Sequence, residues 1–241
     1  MSKPRLRGPF LSVNPKAYLG GAETLRLARI ADELAGRLDI DILFTAQHVD
    51  LRMVAAETSH LLVAAQHMDP ITPGRGMGFI LPESLVEAGV GAVVLNHAEH
   101  PLTVAALDAT LRRADEVGLL TVVCADSPAQ CRAIAQLGPN VMICEPTALI
   151  GTGQVDGGEY TRASIRAVKA IDESILVISA AGVTTGADIT RLLRLGADAS
   201  GGTSAIVGAP DWRATLTDMA TAVAGVRDER AAAMTASGVL S

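Results

Sequence analysis

Cys144-Glu145-Pro146-Thr147-Ala148-Leu149-Ile150-Gly151-Thr152-Gly153 begins at the end of an apolar run, Asn140 to Cys144, that stops abruptly in a carboxylate. A proline follows the glutamate at once, then a short apolar hinge, then Gly-Thr-Gly. A strand that delivers a glutamate at its C-terminal end, into a loop able to close, is the layout of a general base under a lid. In a parallel α/β barrel that end of the strand is where chemistry sits.

Outward from this stretch the chain alternates short apolar runs with amphipathic stretches. Strands are predicted at Pro9 to Val13, Asp41 to Thr45, Leu61 to Ala65, Ala92 to Asn96, Leu119 to Cys124, Val141 to Cys144 and Ile175 to Ser179. Helices are predicted at Ala22 to Leu38, Asp50 to Glu57, Pro82 to Ala88, Leu102 to Val117, Ser127 to Leu137, Tyr160 to Ile171, Gly186 to Leu195 and Asp211 to Val226. The first has Leu27, Ile30, Ala31, Leu34 and Leu38 on one face. The fifth opens with Ser127-Pro128, a cap followed by proline at the first helical position. The eighth strand, near Asp198 to Gly202, is weak, because paired glycines mark a bend or a close backbone approach. The tail, 227–241, is Ala-rich and reads as helical or frayed. Eight β-then-α units with short links predict an α/β fold, a (β/α)8 TIM barrel forming a single domain over 1–241. A doubly wound open sheet is the alternative.

Composition agrees with such a core. Of 241 residues 49% are hydrophobic but only 2% aromatic, so Leu, Ile, Val and Ala must fill the interior. A net charge of −6 argues against a nucleic-acid partner, which needs a basic face. No apolar run approaches the roughly 18 residues of a membrane span. The N-terminus lacks the apolar core of a signal peptide. Cys124, Cys131 and Cys144 are odd in number and lack metal spacing, which suits buried free thiols in a reducing cytoplasm. No metal-ligand cluster is legible, and neither a metal nor a cofactor is expected.

The residues after the strands are Asn14 and Lys16, Gln66 and His67, Asn96, His97 and Glu99, Glu145, Ala181-Gly182, and Thr203-Ser204. On a barrel these surround one mouth, where a phosphate, a carbonyl and an acidic C–H could each find a partner. Read singly, Glu145 suits a surface position as well as a base, and the Gly-Thr-Gly hinge favours the base. A lone His97 is usually a core histidine; Asn96 and Glu99 beside it favour catalysis. His67 reads as structural near a subunit contact, His48, His60 and His100 as surface or supporting residues. Cys144 reads as packing, and Arg112-Arg113 as a solvated helix face.

This order of motifs resembles the triosephosphate isomerase family, in its shorter archaeal-type branch, over nearly the whole chain. The supporting stretches are Asn14-Pro15-Lys16, Ala65 to Pro70, Leu95 to Glu99, Cys144 to Gly153 and Ala181-Gly182-Val183. The resemblance implies an aldose–ketose isomerase acting on a small phosphorylated sugar. It assigns Glu145 as the base that moves a proton between adjacent carbons, and His97 as the group that polarises the carbonyl. Lys16 supplies positive charge, Asn14 orients the carbonyl side, and Glu99 fixes Lys16. Gly151, Gly182, Thr203 and Ser204 offer amides to the phosphate, and 146–153 forms the lid. A helix start near Leu102 is expected to disfavour the His97 imidazolium. The family is homo-oligomeric, so a homodimer or homotetramer is expected.

The chain departs from the family at several points. Pro15 stands where an aromatic residue is usual, Ala98 replaces a serine, and Met77 replaces a threonine that enters the neighbouring subunit's site. Ala180-Ala181 replaces a glycine-rich pair, and Gly201-Gly202 occupies strand positions that are usually apolar. The first reading is triosephosphate isomerisation itself. A second is isomerisation of another short sugar phosphate, such as tetrulose or erythrose phosphate. A third is a barrel that binds a sugar phosphate without turning it over.

Overall fold

The computed structural model describes residues 3–146, 158–180 and 182–236. Eight strands, β1 (Phe10–Val13), β2 (Ile42–Ala46), β3 (Leu61–Ala65), β4 (Ala92–Leu95), β5 (Leu120–Ala125), β6 (Val141–Cys144), β7 (Leu176–Ile178) and β8 (Ala199–Gly202), close in chain order into a barrel. Every pairing is parallel. The (β/α)8 expectation holds, and the open-sheet alternative does not.

The period-2 alternation of each strand divides its side chains between two cores. Phe10, Leu43, Ala64, Ala92, Val94, Val122 and Ile178 point into the barrel and pack together there. Leu11, Val13, Ile42, Phe44 and Val93 point outward and meet the helical layer, including Leu27, Leu34, Leu107 and Leu216. Both sides are buried, which is why the strands read as continuous apolar runs rather than alternating ones.

The helices start where local chemistry permits. Those between the strands are α1 (Ala22–Leu38), α2 (Leu51–Glu57), α3 (Pro82–Glu87), α4 (Val104–Val117), α5 (Pro128–Ala135), α6 (Glu159–Lys169) and α7 (Gly186–Arg194). Thr103 Oγ1 accepts from Ala106 N (3.2 Å) at the start of α4, and Ser127 Oγ accepts from Gln130 N (3.2 Å) at α5. Thr185 and Asp188 form a reciprocal capping box at α7. A single turn that the sequence did not announce, α8 (Ser204–Val207), follows β8, and α9 runs from Trp212 to Ala236, so the tail as far as Ala236 takes the helical of its two readings. The extension is tied down. Arg227 donates to the carbonyls of Leu38 (2.7 Å) and Asp39 (2.6 Å), and Arg230 to those of Leu193 (2.6 Å) and Ala197 (2.9 Å).

One other reading changes. Arg113 is not on a solvated face: it is 8% exposed, pairs with Glu83 and Glu116, and donates to Ile71 O (3.0 Å). It thereby anchors the loop after β3 to α3 and α4. Strand β8 is well paired on one side only, with four partners on β1 and one on β7. The first of its glycines, Gly201, does mark close approach. A Cβ on Gly201 would lie 1.9 Å from the Ser12 carbonyl oxygen, so no side chain fits there.

Candidate active site

Each functional side chain is set by backbone at the C-terminal rim of the barrel. After β1 the chain turns sharply, and Lys16 adopts φ 48°, the left-handed region that ordinary residues avoid. Three contacts hold it there. Lys16 N donates to Asn14 Oδ1 (2.8 Å), Gln66 Nε2 donates to the Lys16 carbonyl (3.0 Å), and Lys16 Nζ pairs with Glu99 Oε1 (2.7 Å). Such strain persists only where the surroundings over-determine it, and it clusters at working sites.

His97 is aimed in the same way. Asn96, at the end of β4, has φ 57°. Its amide donates to Cys124 O (3.0 Å) and its carbonyl oxygen accepts from Leu102 N (2.9 Å). The Glu99 N–H donates to His97 Nδ1 at 3.1 Å. Nδ1 is therefore an acceptor, and the neutral ring carries its proton on Nε2. Burial, reinforced by the Lys16 ammonium, holds the imidazole below its usual range; Glu99 opposes this weakly. The depression was expected from a nearby helix start, but α4 begins only at Val104 and is capped by Thr103. Burial and the lysine are the cause.

Glu145 follows β6, and its N–H donates to Ala125 O (3.0 Å). Burial pushes its carboxyl up to about 7, against a smaller opposing pull from Lys16. A carboxylate held near neutrality can both take and return a proton. Asn14, Lys16, His97, Glu99, Glu145, Gly182, Thr203 and Ser204 all line one cavity of about 260 Å³. Gly182 has φ 73°, a turn that favours glycine. Gly151 and the lid positions after Pro146 lie outside the described residues.

Gln66 was placed at the rim by the sequence but given no role, and Ser12 and Tyr18 were not singled out. Gln66 acts on Lys16 through the backbone across two strands, a contact that no spacing announces. Ser12 and Tyr18 line the cavity. A second cavity of about 580 Å³ adjoins the first, sharing Lys16, His97 and Glu99. His67 and His100 stack on its wall with centroids 4.2 Å apart, and His48 Nε2 lies 2.7 Å from His67 O. These histidines support one another rather than facing solvent singly. Among the described residues no group of His, Cys, Asp or Glu is arranged to hold a metal ion. Cys144 Sγ lies 3.1 Å from Cys131 Sγ, both buried, and its thiol is pushed well above the usual range by that contact and by burial. It packs, as expected, and is a poor nucleophile.

The sequence pattern of the family described as triosephosphate isomerase matches residues 9–201, from β1 to the middle of β8. The chain belongs to the triosephosphate isomerase family. Curated triosephosphate isomerases similar to it include that of Methanopyrus kandleri, 37% identical over 89% of this chain and 97% of the relative. That of Caldivirga maquilingensis is 34% identical over 91% and 100%, and that of Methanocaldococcus jannaschii 34% over 78% and 88%. All three relatives are archaeal, in keeping with the shorter branch of triosephosphate isomerases. Within this family frame Met77 stands out: it is fully exposed at the tip of the loop after β3.

Proposed function

We propose that this chain interconverts glyceraldehyde 3-phosphate and dihydroxyacetone phosphate through an enediolate, with Glu145 as base, His97 as proton donor to the carbonyl oxygen, and Lys16 as the fixed positive charge. The observation that carries this reading is a carboxyl near pKa 7 and a neutral imidazole facing one cavity beside an ammonium. Glu145 removes a proton from the carbon next to the carbonyl. His97 Nε2–H and Lys16 Nζ stabilise the oxygen charge that develops. Glu145 then returns the proton to the neighbouring carbon while protons exchange between the two oxygens. The electrons stay within the substrate, so the reaction needs no external oxidant or reductant.

Asn14 orients the carbonyl side, and Glu99 steers Lys16. Gly182, Thr203 and Ser204, with Gly151 of the closing segment 146–153, bind the phosphate through their amides. Closure keeps water from the enediolate, which would otherwise expel phosphate. Glycolysis and gluconeogenesis are the routes such an activity serves. Among the described residues no helix is long and apolar enough to cross a membrane. A cytoplasmic enzyme assembled as a homodimer or homotetramer is the setting this reading takes. Exposed Tyr18, Val49, Met77 and Phe79 support self-association.

Glu145→Gln tests the core of the reading. In a coupled assay with glyceraldehyde 3-phosphate, kcat should fall at least about 10³-fold with an unchanged circular dichroism spectrum. Near-wild-type turnover would remove Glu145 from the base role.

A further inference from the structure

One polar group in the cavity is left over from the mechanism. Ser12 sits in β1, two residues below Asn14. Phe10 packs inside the barrel and Leu11 and Val13 pack outside it, so the strand's alternation turns Ser12 inward. Its hydroxyl lines the floor of the 260 Å³ cavity beside Val94, Ile143 and Ile178. Ser12 is only 8% exposed, yet its side chain makes no hydrogen bond to any described residue. The hydroxyl opens into the cavity rather than being sealed in the core, so it is available to bond a molecule that enters.

We infer that Ser12 hydrogen-bonds a neutral oxygen on the carbon chain of the bound sugar phosphate. This rests on the sugar-phosphate reading above. The floor is apolar apart from this one uncharged hydroxyl, so it suits a hydroxyl or carbonyl oxygen and not a phosphate dianion. The charged end is better met at the rim, where Lys16 and the turns at Gly182 and Thr203 lie. A site built to bond a substrate oxygen discriminates against ligands that lack it, which makes Ser12 a specificity-determining contact.

The test compares two probes, inorganic phosphate and glycerol 3-phosphate, by calorimetric titration of the full chain and of Ser12→Ala. Ser12→Ala should weaken glycerol 3-phosphate by about tenfold while phosphate affinity stays within about twofold. It should raise KM for glyceraldehyde 3-phosphate by a similar factor. Because the hydroxyl bonds no described residue, Ser12→Ala should melt no earlier than the parent chain. Equal loss for both probes would place the contact on the phosphate and overturn the inference, as would unchanged affinity for glycerol 3-phosphate or a clearly lowered melting temperature. Selective weakening in a chain that turns over no triose phosphate would uphold the contact and refute the proposed activity.

Discussion

Lys16, Asn96 and Glu145 are each held in a state their chemistry resists. Two sit at positive φ, and one carries a carboxyl that burial pushes up to about 7. The free-enzyme kcat/KM should rise with pH through about 7, as Glu145 loses its proton, and then level off while His97 stays neutral. A stopped-flow pH series checks this; a midpoint near the ordinary carboxylate value would refute the burial argument. The same burial has a cost in stability. A carboxyl raised in the folded state keeps its proton after the unfolded chain has lost it, so stability falls as pH rises from about 4.5 towards 7. Denaturant titrations of Glu145→Gln should lack this slope. Gln66 belongs at this scale too. Gln66→Leu removes the donor to the Lys16 carbonyl and should lower kcat by about tenfold through loss of aim, with a smaller change in overall stability. Steady-state kinetics beside a melting curve separates the two effects.

At the scale of elements, β8 is the instructive case. Ala-Ser-Gly-Gly has little intrinsic strand preference, and it forms a strand because β1 supplies four pairing partners in register. Gly201→Ala would drive a methyl into the Ser12 carbonyl and force the two strands apart. It should destabilise by at least about 3 kcal/mol, a fall of roughly 10 °C in melting temperature for a chain of this size, read by calorimetry. Helix α9 shows the opposite relation. Its last turns are exposed and Ala-rich, yet they persist, because Arg227 and Arg230 satisfy carbonyls at the ends of α1 and around α7. Capping signals in the sequence mark where a helix starts, as at Thr103, Ser127 and Thr185; they say little about an extension maintained by distant carbonyls.

For the molecule as a whole, the proposed self-association would draw on the exposed apolar side chains of the loop after β3, Met77 and Phe79. Met77→Asp places a charge at a fully exposed apolar tip and should shift the chain towards monomer in size-exclusion light scattering. An unchanged mass would locate the contact elsewhere. The eight strands, their order and the rim residues were legible from the amino-acid order, because a parallel barrel repeats one local unit and places every strand end at the same mouth. Asn14, Lys16, His97, Glu99 and Glu145 follow from that rule, since each stands directly after an apolar run. What the order of residues could not disclose depends on pairs far apart in the chain: Gln66 holding Lys16, Arg113 reaching Ile71, Gly201 pressed against Ser12, and the burial that depresses His97. Local preference and periodicity act over a few residues, whereas burial and backbone contact exist only once the barrel has closed. The sequence by itself therefore determined the architecture and named the candidate reacting groups, and the tertiary structure alone decided their burial, their strain and the shape of the space between them.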